Sequence, residues 1–222
     1  MDGRHEIKLN INAVDCAVLR ARLRALAKPD ENAMPDGGYI VRSLYFDNFE
    51  DKAVFEKLSG MSRREKFRLR YYNGDTGFIR LEKKSKANKL CYKESARISA
   101  EDCGALLAGN LEILKRPDNP LLMEFYTTAR YQNLRPKALV DYHREAYVYR
   151  AGNVRVTFDS NIRVSNSVSG FLNPSLATIP AASGIILEIK YDGFLPDIFR
   201  DVLQIGSRSE TEFSKYVAAR FV

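Results

Sequence analysis

No run of about 18 apolar residues occurs in the 222-residue chain, so a membrane-spanning helix is not encoded. The start, MDGRHEIKL, has neither an apolar h-region nor a cleavage signal, so no secretory leader is expected and a cytoplasmic protein is the default. Cysteine is scarce. Cys16, Cys91 and Cys103 are odd in number, widely spaced and without a CxxC pair, which excludes a disulfide framework or cysteine zinc site and reads as reduced and structural. His5 and His143 are too few for a His-rich metal centre or a histidine relay. Repeats, linkers and low-complexity tracts are also missing, while 45% hydrophobic residues suffice for a core, so one domain spanning 1–222 is expected and wholesale disorder is excluded.

Acidic residues are in deficit: 28 Asp and Glu against 35 Lys and Arg leave a net charge of +7. Such a field favours polyanionic partners without choosing among nucleic acid, phosphorylated small molecules and acidic membranes. The choice depends on where the charges sit.

Period-2 alternation predicts a first strand at EIKLNI (6–11), two strands at YIVRSLYFDN and KFRLRYYN, and a pair at FIRLEKKSK and LCYKESARI. A helix is expected over 12–28, stopping at Pro29, and the polar-apolar segment 49–60 is left as a short connection. Two helices follow between 99 and 134, one opened by Ser99-x-x-Asp102 and one by Asn119 before Pro120. KALVDYHREAYVY and NVRVTFDSNIRV form a hairpin around 151–153, and 165–184 reads as either a mobile lid or a plain surface loop. GIILEIKYDG is a last strand, followed by helices from Pro196 and from Ser209, where Ser209-x-x-Glu212 fits a capping box.

The charged residues follow the strand period. Lys66, Arg68 and Arg70 share one face, with Phe67, Leu69 and Tyr71 opposite. Arg80, Glu82, Lys84 and Lys86 share another, as do Lys93 and Arg97, then Arg155, Thr157 and Asp159, then Glu188 and Lys190. Solvated outer faces usually mix Ser, Thr, Gln, Glu and Lys, whereas these are dominated by Arg and Lys. Like charges opposite one another repel unless an anion lies between them. The fold expected is therefore α+β: a closed antiparallel barrel with a basic interior and helices packed outside.

SLYFDN (43–48), REKFRLRYY (64–72), RLEKKSK (80–86) and FSKY (213–216) resemble the VTC domain, the polyphosphate polymerase module of the CYTH or triphosphate tunnel metalloenzyme superfamily. HEIKLNI, VDYHREAY (140–147), VRVTFD (154–159) and ILEIK (186–190) extend the likeness in the family's order. The resemblance implies a tunnel of about eight strands, ATP and inorganic polyphosphate as ligands, and Mn2+ or Mg2+ as cofactor. It places Lys8, Arg68, Arg70, Lys84, Lys93, Arg144, Arg155, Lys190 and Lys215 at phosphate- or nucleotide-binding positions. Arg68, Arg70, Lys84 and Glu188 are the catalytic candidates, and Glu188 is the metal-binding acid. Two features depart from the superfamily pattern: Glu6-Ile7-Lys8 replaces the fuller ExExK of the phosphatases, and Lys83 stands where an apolar residue is common.

The function implied is metal-dependent transfer of the γ-phosphoryl group of ATP to a growing polyphosphate chain. A tunnel-fold triphosphatase and a non-catalytic polyphosphate-binding module are the alternatives. A nucleic-acid binder is disfavoured, because no RNP, KH or recognition-helix signature is present. Tyr45, Tyr71, Tyr72 and Tyr142 read as packing. By alternation, His143 faces away from Arg144.

Overall fold

The computed structural model describes residues 3–35, 37–206 and 210–222. Its strands are β1 (His5–Ile11), β2 (Lys28–Pro29), β3 (Gly38–Asp47), β4 (Arg63–Tyr72), β5 (Ile79–Ala87), β6 (Leu90–Ile98), β7 (Arg135–Tyr149), β8 (Val154–Ser165), β9 (Ile179–Pro180) and β10 (Ile185–Tyr191). The α-helices are α1 (Ala13–Leu26), α2 (Lys52–Leu58), α3 (Ala100–Leu107), α4 (Pro120–Gln132), α5 (Asp197–Val202) and α6 (Lys215–Arg220). Caps account for most helix starts. The Asn12 side chain accepts from the Asp15 N–H while Asp15 reaches back to the Asn12 N–H, Ser99 accepts from Asp102, and Asn119 accepts from Leu122 ahead of Pro120.

All ten strands join one antiparallel sheet in the order β1-β10-β8-β7-β3-β4-β5-β6. β2 extends the pairing of β7 beyond the end of β3, and β9 pairs with β8 beyond β10. The expected closed barrel is corrected here: the ladder does not close. Its two edge strands meet at one bridge just before β1, where Arg4 and Cys91 exchange two hydrogen bonds of 2.9 Å. Farther along, the outer edge of β1 is taken by another segment: the Thr211 N–H donates to the Lys8 carbonyl at 2.8 Å, and Leu9 bridges Glu210.

That extended pairing also corrects the last helix. It begins at Lys215 with Ser214 as its cap; Ser209 lies outside the described residues. Segment 49–60 contains α2, a seven-residue helix whose cap position, Asp51, has a left-handed backbone and makes no side-chain capping bond. Residues 165–184 are anchored to the sheet at 171–174. Phe171 is fully buried, its carbonyl accepts from Tyr71 at 2.7 Å, and Arg42, bidentate on Asp141, also donates to the carbonyls of Asn173 and Pro174.

Apolar side chains pack both faces. On the outer face, Phe67, Leu69 and Leu81 bury against Leu106 of α3 and Phe125 of α4, while Leu187 and Phe158 bury against Leu19 of α1 and Phe199 of α5. On the inner face, Val41, Val140, Ile186 and Val164 are filled by Tyr216 and Ala219 of α6. Asn161 (φ 50°) sits by a register shift in β8, so Ile162 and Val164 join the inner cluster although Val156 and Phe158 face outward. Lys83 faces outward without disturbing the packing: its ammonium lies 5.9 Å from the centre of the Phe67 ring and pairs with Glu65 and Glu124.

Candidate functional site

Where α6 does not fill the inner face, the strands enclose a cavity of about 300 Å³. Its lining has fourteen Lys and Arg against five Glu, an excess of nine positive charges. The whole chain carries only +7, so the remainder of the molecule is net negative by two. That remainder includes Glu82 and Asp159, the carboxylates directly behind the lining; counted with it, they leave a local excess of seven, equal to the charge of the whole chain.

Of the predicted residues, Lys8, Arg68, Arg70, Lys84, Lys93, Arg144, Lys190, Lys215 and Glu188 line it together. Arg68 and Arg70 are nearly enclosed, their side chains 13% and 5% exposed. Arg155 stands apart from the lining: its guanidinium is held by Asp30 at 2.5 Å and the Tyr39 hydroxyl at 2.8 Å. His143 is also outside the lining.

Most of these cations rest on buried carboxylates. Glu82 takes Arg68 at 2.7 Å, Lys93 at 2.5 Å and Arg70 at 3.7 Å. Glu6 takes Lys84 at 2.7 Å and Lys8 at 2.8 Å. Asp159 holds Arg144 through two hydrogen bonds of 2.6 and 2.7 Å, and Lys215 at 2.5 Å. Glu188 pairs with Lys190 and lies 3.8 Å from Lys8. Burial pushes the Glu82 carboxyl up, but Arg68, Arg70 and Lys93 overcome it and hold the acid well below the usual carboxylate range. Glu188 is likewise held low against burial by Lys190, Lys8 and Lys84, and Asp159 is brought to about 2 against burial by Arg144 and Lys215. The acids stay ionised and hold the cations in position, although burial lowers Lys84 and Lys93.

Lys66 differs. It has no carboxylate partner among the described residues, and its ammonium lies 5.5 Å from the Tyr45 ring. Burial, reinforced by Lys84, Lys8 and Arg68, lowers it to about 7. The Tyr45 phenol, which burial would raise, is brought down by Arg68, Lys66 and Arg70 and accepts from Arg68 at 3.2 Å. Tyr142 accepts from Arg70 at 2.9 Å, with Lys215 over its ring at 4.7 Å and Arg144 at 5.2 Å. These two tyrosines serve the cavity rather than packing alone; Tyr71 packs on Phe171. The signal for Lys66 was its place in the row with Arg68 and Arg70.

A divalent cation fits this donor set in a limited way. Glu6 and Glu188 lie on neighbouring strands and feel one another's charge. Among the described residues, no group of three or more His, Cys, Asp and Glu is placed to hold a metal. Mg2+ is typically bound by one or two carboxylates with water and phosphate oxygens completing its shell, a pattern Glu188 with Glu6 can match once a phosphate ligand is present.

The sequence profile of the VTC domain matches residues 3–221. Among solved structures, a protein of Bacillus halodurans described as "a putative adenylate cyclase" superposes with a TM-score of 0.51 at 12% identity, over 91% of this chain and 88% of that one. The PH1819 protein of Pyrococcus horikoshii OT3 is similar at a TM-score of 0.43 and 14% identity, over 90% and 84%. The Bacillus likeness is one of fold. No curated protein matches the sequence. No helix among the described residues is long and apolar enough to cross a membrane.

Proposed function

Because the chain belongs to the VTC domain family, we propose that it is a polyphosphate polymerase, moving the γ-phosphoryl group of ATP onto the end of a polyphosphate chain. The observation that carries this reading is the gathering of fourteen Lys and Arg around one cavity, against five Glu in its lining and the buried Glu82 and Asp159 behind it. Phosphoryl transfer asks little covalent chemistry of a protein, so positioning and neutralisation of oxygens supply most of the rate.

In this reading Arg68, Arg70 and Arg144 orient the nucleotide phosphates, fixed by Glu82, Asp159 and Tyr142. Lys8, Lys84, Lys93, Lys190 and Lys215 neutralise the acceptor and donor oxygens. A terminal oxygen of the acceptor chain attacks the γ-phosphorus, the bond to the β–γ bridging oxygen breaks, and ADP leaves. Glu188, with Glu6 beside it, would hold Mn2+ or Mg2+, which supplies Lewis-acid neutralisation of phosphate charge.

The second reading, a triphosphatase with water as acceptor, is favoured by one observation: Lys66 lines the cavity with no carboxylate partner among the described residues, and burial lowers its ammonium to about 7, where a lysine can exchange a proton with water. Incubation with ATP and manganese or magnesium, with products resolved by length on a gel, separates the two. Long chains and ADP are expected; orthophosphate as the sole product supports the triphosphatase. Glu188→Gln should abolish metal-dependent turnover while leaving the circular dichroism spectrum intact, and unchanged turnover at saturating metal would remove Glu188 as the ligand.

A further inference from the structure

The cationic rows of β4 and β5 continue past the proposed catalytic residues to the cavity mouth. Lys66 lies opposite Lys84 in the ladder, and the next inward pair is Arg64 opposite Lys86. Like charges directly opposite repel unless an anion lies between them. At the inner pair, Glu6 supplies it through Lys84. At the outer pair, the anion is Glu212, which forms an ion pair with Lys57 of α2 and lies 3.7 Å from Arg64 and 3.9 Å from Lys86.

This arrangement is unlike the interior. The Glu212 side chain is 71% exposed, whereas Arg64 and Lys57 are 17% and 16% exposed. The cations are built into the wall and their anion is not. Burial together with Arg64, Lys8 and Lys86 lowers the Lys57 ammonium to about 8, so the cluster is short of negative charge.

We propose that Lys57, Arg64 and Lys86 form an outer phosphate subsite, which Glu212 occupies as an internal stand-in until an oxyanion of a long polyphosphate chain displaces it. The proposal rests on the polyphosphate reading of the cavity and adds a subsite to it. Displacement also reaches the catalytic region. Glu212 lies between Thr211, whose N–H donates to the Lys8 carbonyl, and Phe213, whose carbonyl accepts from the Lys8 ammonium at 3.3 Å.

The test is calorimetric binding of tripolyphosphate and of long-chain polyphosphate to the wild type, Glu212→Gln and the Arg64→Ala/Lys86→Ala double variant, over a range of salt. The exposed Glu212→Gln keeps the experiment informative if the double variant folds poorly, with circular dichroism as the check. Glu212→Gln is expected to tighten long-chain binding about two- to fivefold at low salt and leave tripolyphosphate unchanged. The double variant should lower the slope of log affinity against log salt by about 1.5 for the long chain only, by analogy with nucleic acids. Equal tightening of both ligands by Glu212→Gln, or no change in either, overturns the outer subsite while the cavity reading stands. Failure of the wild type to bind either ligand overturns both.

Discussion

Glu82 and Glu212 each stand among three cations, one in the depth of the cavity and one at its mouth, and burial makes them different devices. The Glu82 side chain is 1% exposed and lies against Arg68, Arg70 and Lys93; Glu212 faces Lys57, Arg64 and Lys86 from a largely solvated position. A buried carboxylate holds its buried partners, here Arg68 and Arg70, in place because neither they nor it can return to water cheaply. An exposed one is screened and weakly held, so a stronger anion can replace it. The same grouping of charges thus acts as framework in one place and as an exchangeable occupant in the other.

The contrast is broken most forcefully at Glu82. Glu82→Gln leaves the surrounding cations without their counter-charge, and the loss of stability should be about 3–5 kcal/mol, read from denaturant unfolding. A loss below about 1 kcal/mol would mean that water already screens the cluster, and that interior and mouth do not differ as described.

A second test compares how the two regions respond to pH. Lys66 is held near 7 in the free protein, and a bound phosphate raises it, so binding takes up a proton at pH 8. Affinity for tripolyphosphate should therefore be full below pH 7 and fall as pH rises through 7 to 9, and ionisation of Tyr45 acts in the same direction. Calorimetry in buffers of different ionisation heat measures the uptake, and Lys66→Met should reduce it. A flat profile between pH 6 and 9 would show that Lys66 is already fully charged in the free site.

The smallest effect belongs to the mouth: Glu212→Gln should change stability by no more than about 0.5 kcal/mol. A larger loss would make Glu212 part of the framework.

Much of the inner face was legible because side-chain alternation in a strand is strict. Lys8, Arg68, Lys84, Lys93 and Glu188 were assigned with their phases correct, and Phe67 and Leu69 pack outside. What escaped depends on contacts distant in sequence. Arg155 has the inward phase, yet Asp30, 125 positions earlier, draws its guanidinium away. Glu6 acts through lysines on three strands, which alternation within β1 cannot reveal. Lys57 escaped because α2 is only seven residues long and its first N–H groups are taken by Asn48 and Asp47, not by a capping residue at its start. The ladder is open where alternation suggests a closed barrel, because local patterns set the faces of strands whereas closure depends on whether the two outermost strands run side by side.

The use of the outer edge of β1 has a consequence for strand addition. A strand with a free row of amide and carbonyl groups is a template on which another molecule can add a strand. Here part of the row is taken up by the chain itself, Cys91 against Arg4 just before the strand and Thr211 against Lys8 at its middle. The contacts that draw the sheet around its cavity therefore also occupy part of the β1 edge, at Arg4, Lys8 and Leu9, where intermolecular strand stacking could otherwise start.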